Sequence, residues 1–359
     1  MNDNLTDLHK RLIDVFKLHR ETNIKEMIEA LREELVSSFQ LELCYKISEV
    51  NCREKIDNIS QSLIKAYDLF NQGLIGDCYN LIYKILFRDN TPSLLGIANK
   101  LPKNTQLFRM RYSNSRYLYN KMEMYHIPFN QRNKISNQRY SLSGFPCLYL
   151  GSSLYVCWEE LNRPNFEDAN SALFTNIKRE LKLLDLRFPD NIESISSLVK
   201  FLLAASCSVK SSSSSDIFKA EYILPQAILH SLVKYNNGTN INNRYDGIIY
   251  TSSTYWNNDR LWDDINLFIN IVIPAIFTSE SEITTIEGLN YSTYIIDCFN
   301  VKGPTTYNIY DYKQESYTGC DIHSTTLLYK DSQLNHHGYD WYLSSKFHKL
   351  SGYLIANIE

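Results

Sequence analysis

The stretch that decides the fold is RYSLSGFPCLYLGSSLYVCWEEL, Arg139–Leu161. It places one arginine ahead of a Gly144-Phe145-Pro146 turn. An apolar run then ends at Gly151, and a second run carries the adjacent acids Glu159 and Glu160. The first run is β-type; the second has the character of a helix closed by Pro164. On a helix the two acids diverge by about 100°, so only one can face a given cleft. As a bare signal, the ordinary arrangement for such acids is solvent-facing, with Trp158 buried.

Upstream, the first hundred residues read as helices. Ile24, Met27, Ile28, Leu31, Leu35 and Phe39 form one apolar stripe at helical spacing, with Glu26, Glu29 and Glu33 opposite. A second stripe uses Ile56, Ile59, Leu63, Ile64 and Phe70 and stops at Gly73; a third uses Cys78, Leu81, Ile82, Ile85 and Leu86 and stops at Asn90-Thr91-Pro92. Such helices with short joints suggest a small bundle. Beyond residue 98 the texture changes to TQLFRMRYS, FPCLYLG, SALFTNIK, LKLLDLRF, DGIIYTSS and NLFINIVIPAIF as strands. Two helix-like runs, SSLVKFLLAASCSV and EYILPQAILHSLVKYNNG, interrupt them, and Ser211 to Ser215 read as a loop. A further strand is expected at YSTYIIDCF. Mixed order without a regular βαβ rhythm gives an α+β fold. The expected division is a helical domain at 1–98, an α+β domain at 99–280, and a C-terminal extension at 281–359 packed on it.

The 359 residues carry a net charge of −3, which argues against a chain-wide nucleic-acid or membrane surface. No C-x-x-C pair occurs among the eight cysteines, and no metal-ligand spacing is evident, so no metal is expected. The amphipathic start and the lack of a long apolar run point to a cytoplasmic protein with free thiols. Locally the charge is uneven. Leu101–Tyr140 holds eight Lys and Arg against a single acid, Glu123. Arg109 lies inside the apolar run LFRMR, where a charge must reach a groove or be paired. A guanidinium fork suits a phosphate there.

Taken together, LFRMR…HIPFNQR…QRYSLSGFPCLYLGSS…CWEEL followed by YILPQAI…YDGIIYTSS…NLFI resembles the RES domain, named for an arginine, a glutamate and a serine. The resemblance spans about Leu107 to Phe277. The helical part resembles HEPN-type domains; it lacks the Arg-His pair of their ribonuclease members, so no ribonuclease activity is expected from it. RES proteins are known as toxins, often neutralised by an antitoxin, and they consume NAD. Their fold resembles ADP-ribosyltransferases, with a split β-sheet around the dinucleotide. Carried onto this chain, the resemblance implies Arg109 and Arg139 on the diphosphate, Tyr149 against a ring, Glu160 on the ribose, and Ser252 on the nicotinamide ribose or the acceptor. Glu159 and Ser253 are off-by-one alternatives.

The implied reaction is cleavage of the nicotinamide–ribose bond by hydrolysis or phosphorolysis, in a toxin or bacterial-defence setting. Transfer of ADP-ribose to a protein or nucleic acid is the alternative, and a non-catalytic nucleotide-sensing module is a third reading. An antitoxin or regulatory partner and a homo-oligomer through the helices are expected. The long N-terminal helices and the C-terminal tail depart from the simple toxins.

Overall fold

The computed structural model describes residues 3–21, 23–41, 52–87, 98–113, 117–165, 168–211, 216–257, 265–306 and 346–356. In chain order the regular elements begin with α1 (Asp3–His19), α2 (Ile24–Leu41), α3 (Cys52–Asn71), α4 (Ile75–Leu86), β1 (Ala98–Leu101), β2 (Gln106–Tyr112) and β3 (Cys147–Gly151). They continue with α5 (Leu154–Glu160), β4 (Ala169–Asn176), β5 (Leu181–Leu186), α6 (Ile195–Cys207), α7 (Ile223–Gly238), β6 (Gly247–Thr251) and β7 (Ile269–Pro274). The last are β8 (Ile283–Ile286), β9 (Leu289–Ser292), α8 (Thr293–Cys298), β10 (Phe299–Thr305) and α9 (Lys346–Ala356). The fold is α+β, with N-terminal helices followed by strands. The expected stop at Asn90-Thr91-Pro92, the serines at 212–215 and the tail at 307–345 lie outside the described residues.

The chain divides into two compact units that interleave along the sequence. One comprises Met1–Asn99, Ser136–Ser143 and Leu183–Ser253; the other comprises Lys100–Ile135, Gly144–Lys182 and Thr254–Glu359.

The first unit is built on helices. The apolar stripes read from the sequence are its core: Met27, Ile28, Leu31, Leu35, Ile56, Leu63, Cys78 and Ile82 are fully buried. Gly73 takes a left-handed φ of +82° just past the end of α3, the conformation a glycine helix stop supplies. α1 packs on α2, α2 on α3 and α3 on α4, and the group is not isolated from the helices that follow. α2 and α3 pack on α6, and α4 packs on α7. Nearly every residue of α6 is buried, which is why its sequence is apolar all round. A reciprocal capping box between Ser194 and Ser197 starts it. Phe16, Phe188 and Phe201 meet in series through tilted and edge-to-face contacts, and the Phe87 ring centre lies 4.4 Å from that of Tyr235. β5 and β6 pair in parallel, Leu183 opposite Gly247 and Leu186 opposite Tyr250. Both strands are buried, matching their continuous apolar runs.

The second unit is mostly antiparallel. β10 pairs with β4, β4 with β2 over seven residues, and β3 with β7 over five. β2 and β3 meet at a single bridge, Phe108 opposite Gly151. Because the strands run antiparallel, Arg109–Tyr112 and Cys147–Leu150 lie on the same open side of that joint. The sheet is therefore split there. Phe108, Met110 and Leu173 face the other way and pack with Leu154 of α5 and with Leu350, Leu354 and Ile355 of α9. The strand expected at YSTYIIDCF is instead the end of β9, the short helix α8 and the first residue of β10. Its apolar spacing suits either state, and the turn of helix separates two strands that belong to different pairings.

Candidate active site

β2 alternates, so Arg109 and Arg111 project to one face, opposite Ala172 and Asn170 of β4 in register. Arg109 forms no hydrogen bond or ion pair among the described residues, and its buried Nη1 has no partner. Burial, with Arg111 adding repulsion, pushes this guanidinium well below the usual arginine range. The favourable influences on it are Cys157 and Tyr149. A buried cation without a counter-charge is costly to maintain. It is the kind of exception that calls for an anion.

α5 is held rigidly at its start. Ser153 caps it by accepting from Val156 N at 3.1 Å, and Ser153 Oγ donates to Leu267 O at 2.7 Å. Gly151 is required at the end of β3: a Cβ there would stand 2.6 Å from Val156 Cγ1 and 2.8 Å from Cys157 Sγ. The helix ends at Glu160, and Asn162 and Arg163 both adopt left-handed φ, turning the chain back. Arg163 Nε consequently reaches Glu159 at 2.9 Å.

That turn decides between the two acids. Glu159 is buried in the ion pair with Arg163, whereas Glu160 is exposed. The arrangement with both acids facing solvent is thus corrected for Glu159, and Trp158 is half-buried, its Nε1 donating to Pro164 O at 2.8 Å. Glu160 Oε1 accepts from Asn270 Nδ2 at 2.7 Å, which fixes one carboxylate oxygen. Asn270 lies opposite Gly151 on β7.

Cys157 links the two ends of this group. Burial, with the Glu160 charge adding to it and Arg109 opposing, pushes its thiol up to about 12. Cys157 therefore senses both charges, and at that pKa it is no nucleophile. Arg109, Tyr149, Cys157, Glu160 and Asn270 all belong to the second unit.

The first unit holds the remaining residues singled out in the sequence. Arg139 donates from Nη1 to Cys207 O and Val209 O, both at 3.0 Å, and from Nη2 to Ser253 Oγ at 2.9 Å. It lies 5.1 Å from the Tyr222 ring centre. Three of its five N–H groups are thus used locally. The loop carrying it is tied down by Gln226 Nε2, which donates to Gln138 O at 3.0 Å. Ser252 is fully buried. Ser253, the off-by-one alternative, is the one bonded to Arg139. Arg20, at the end of α1, donates to Ser253 O at 3.2 Å, and burial lowers its pKa to about 10.

Three contributors escaped the sequence reading. Asn270 was visible as a polar residue inside the apolar run INIVIP, and Arg111 as a second arginine at strand spacing from Arg109. Arg20 left no local signal, because its partner is 233 residues away. Among the described residues, no group of three or more His, Cys, Asp or Glu could hold a metal ion, and no helix is long and apolar enough to cross a membrane.

A family model described as the RES domain matches residues 106–286. A curated protein of Bacillus subtilis (strain 168), "Putative toxin YopC", is 28% identical over 324 residues, covering 84% of this chain and 69% of the relative. Among solved structures, "Crystal structure of the M.tuberculosis MbcT-MbcA toxin-antitoxin complex" matches at 14% identity with a TM-score of 0.31, covering 60% of this chain and 92% of that one. At that score the match carries no argument.

Proposed function

Because the chain belongs to the RES domain family, we propose that it is a toxin enzyme that cleaves NAD at the bond between nicotinamide and ribose. The observation that carries the reading is Arg109: a buried guanidinium with an unpartnered Nη1, at the open side of a split sheet, in one unit with Tyr149 and Glu160. The toxin assignment draws on the family and on the name of the Bacillus subtilis relative.

The chemistry asks little acid–base work of the protein. Nicotinamide in NAD carries a positive charge, so it leaves with the electron pair of the C1′–N bond as a neutral molecule. The ribose becomes oxocarbenium-like, as in glycoside cleavage. In this reading Arg109 neutralises the diphosphate. Glu160, steadied by Asn270, accepts from the ribose hydroxyls and offsets the growing positive charge. Tyr149 packs against a ring. A water or phosphate oxygen then bonds to C1′; with water, one proton is released. Arg139, which has two unused N–H groups, and Ser252 are proposed as further ligand-contacting residues, and Arg139→Met and Ser252→Ala should each lower NAD turnover. An antitoxin partner and association through the helices belong to the proposal as well.

The test is to incubate the purified full chain with NAD and follow nicotinamide release, with products resolved by mass spectrometry with and without phosphate. Wild-type turnover with loss in Glu160→Gln and retention in Glu159→Gln is expected. Binding of NAD without consumption would replace this reading with a nucleotide-sensing module. ADP-ribose recovered on a macromolecule would replace hydrolysis with transfer.

A further inference from the structure

We propose that Arg111 is the second guanidinium of a diphosphate-binding pair with Arg109. The inference deepens the proposed function and rests on it for the identity of the dinucleotide, though not for the anion itself.

Four observations meet at this point. Arg109 and Arg111 stand two residues apart on β2 and share a face, in register with Ala172 and Asn170. Each has a buried nitrogen with no hydrogen-bond partner, Nη1 of Arg109 and Nε of Arg111. Neither forms an ion pair among the described residues. The imidazole that feels both charges, His126, is in a neutral state: its Nδ1 donates to Ile127 O at 2.8 Å and its Nε2 accepts from Ser292 N at 2.9 Å. Among the described residues, nothing on that side supplies the missing negative charge at bonding distance. The acid that Arg111 does feel, Glu123, is bonded to Tyr117 Oη at 3.2 Å and to Asn120 N at 2.7 Å.

Two like charges held side by side, each with an unmet donor, are destabilising as they stand. A single phosphate would neutralise one guanidinium. A diphosphate presents two anionic centres in series and can meet both forks. Arg111 is already oriented for this. Its Nη2 donates to Tyr125 O at 3.0 Å and its guanidinium lies 5.8 Å from the Tyr119 ring centre, which fixes the plane and leaves Nε unmet. The structural alternative is that Arg111 only ties Tyr125 O to the strand. That role explains Nη2 and leaves the unmet Nε and the repulsion unexplained.

The test is calorimetric titration of the full chain with inorganic pyrophosphate, ADP-ribose and adenosine, on wild type, Arg109→Met, Arg111→Met and Arg111→Lys. Removing one charge-assisted contact should weaken ADP-ribose and pyrophosphate roughly tenfold to a hundredfold in either Met variant and leave adenosine unchanged. Arg111→Lys keeps the charge and loses the fork, so it should bind diphosphates at an intermediate level. Wild-type diphosphate affinity in a folded Arg111→Met protein would overturn the pair while NAD cleavage could stand through Arg109. If Arg111→Met fails to fold, the Lys variant decides, and wild-type diphosphate affinity there would overturn the pair. Pyrophosphate binding that depends on both arginines, in a protein that does not consume NAD, would keep the pair and refute the proposed function. A wild type that binds none of the diphosphates refutes both.

Discussion

Arg109→Met should make the ligand-free protein more stable while weakening its binding of diphosphates. Methionine matches the length of the arginine stem and removes the buried charge. An unsatisfied buried donor costs about 1–3 kcal/mol, more when charged. Replacing buried ions with apolar groups of similar volume gains roughly 1–4 kcal/mol. Arg109 as a whole residue is only partly buried, so the lower end of that range applies. A gain of about 1–2 kcal/mol is expected, a rise of a few degrees in the thermal midpoint for a chain of this size. The assay is urea and thermal unfolding of both proteins in phosphate-free buffer, followed by the same melts with saturating ADP-ribose. Wild type should then overtake the variant, since ligand stabilises only the form that binds it. A variant that loses 2 kcal/mol or more without ligand would refute the reasoning, because Arg109 would then be holding the fold together.

Three further perturbations follow from the same geometry. Gly151→Ala should destabilise by about 1–3 kcal/mol, because the new Cβ meets Val156 and Cys157 inside van der Waals range; denaturation within 0.5 kcal/mol of wild type would count against that packing. His126 is 1% exposed and held neutral, its pKa lowered to about 4 mainly by burial and further by Arg109 and Arg111. With a folded value below the unfolded 6.5, the unfolded state binds the extra proton first. Stability is full above pH 6.5 and falls as pH drops toward 4, by about 3 kcal/mol; His126→Gln should flatten that part of the pH profile, and an unchanged profile would refute the assignment. Deleting residues 1–98 should leave α6 and α7 uncovered, giving a protein that binds a hydrophobic dye and lacks a cooperative melt; a soluble fragment with a sharp melt would show that residues 99–359 fold without the N-terminal helices.

Much of this was legible in the residues, for reasons that differ by element. The stripes of α2 and α4 were readable because one face of each is buried and the other is not. The β runs around Arg109 and Tyr149 were readable because strand cores are apolar and short. The joining of α1–α4 to α6 and α7 was not readable, since a stripe says that a face is covered and not what covers it. The choice between Glu159 and Glu160 depended on two left-handed residues, Asn162 and Arg163, and neither is a glycine that would have announced the turn. The engagement of Arg139 with Cys207 O and Val209 O depended on backbone carbonyls about 70 residues away, and these carry no sequence signature.

The interleaving of the two units bears on how the protein is made. The chain passes from one unit to the other five times before it ends, and the first unit lacks its last segment until Ser253. By then 253 residues of this sequence have been synthesised, and the other unit still lacks β7, the strand that carries Asn270. Neither unit can therefore close early in synthesis, and long-range pairings of this kind form slowly. If the chain has the activity proposed above, this topology delays that activity during synthesis. Under the same proposal, that interval is when an antitoxin partner would meet an unfinished toxin.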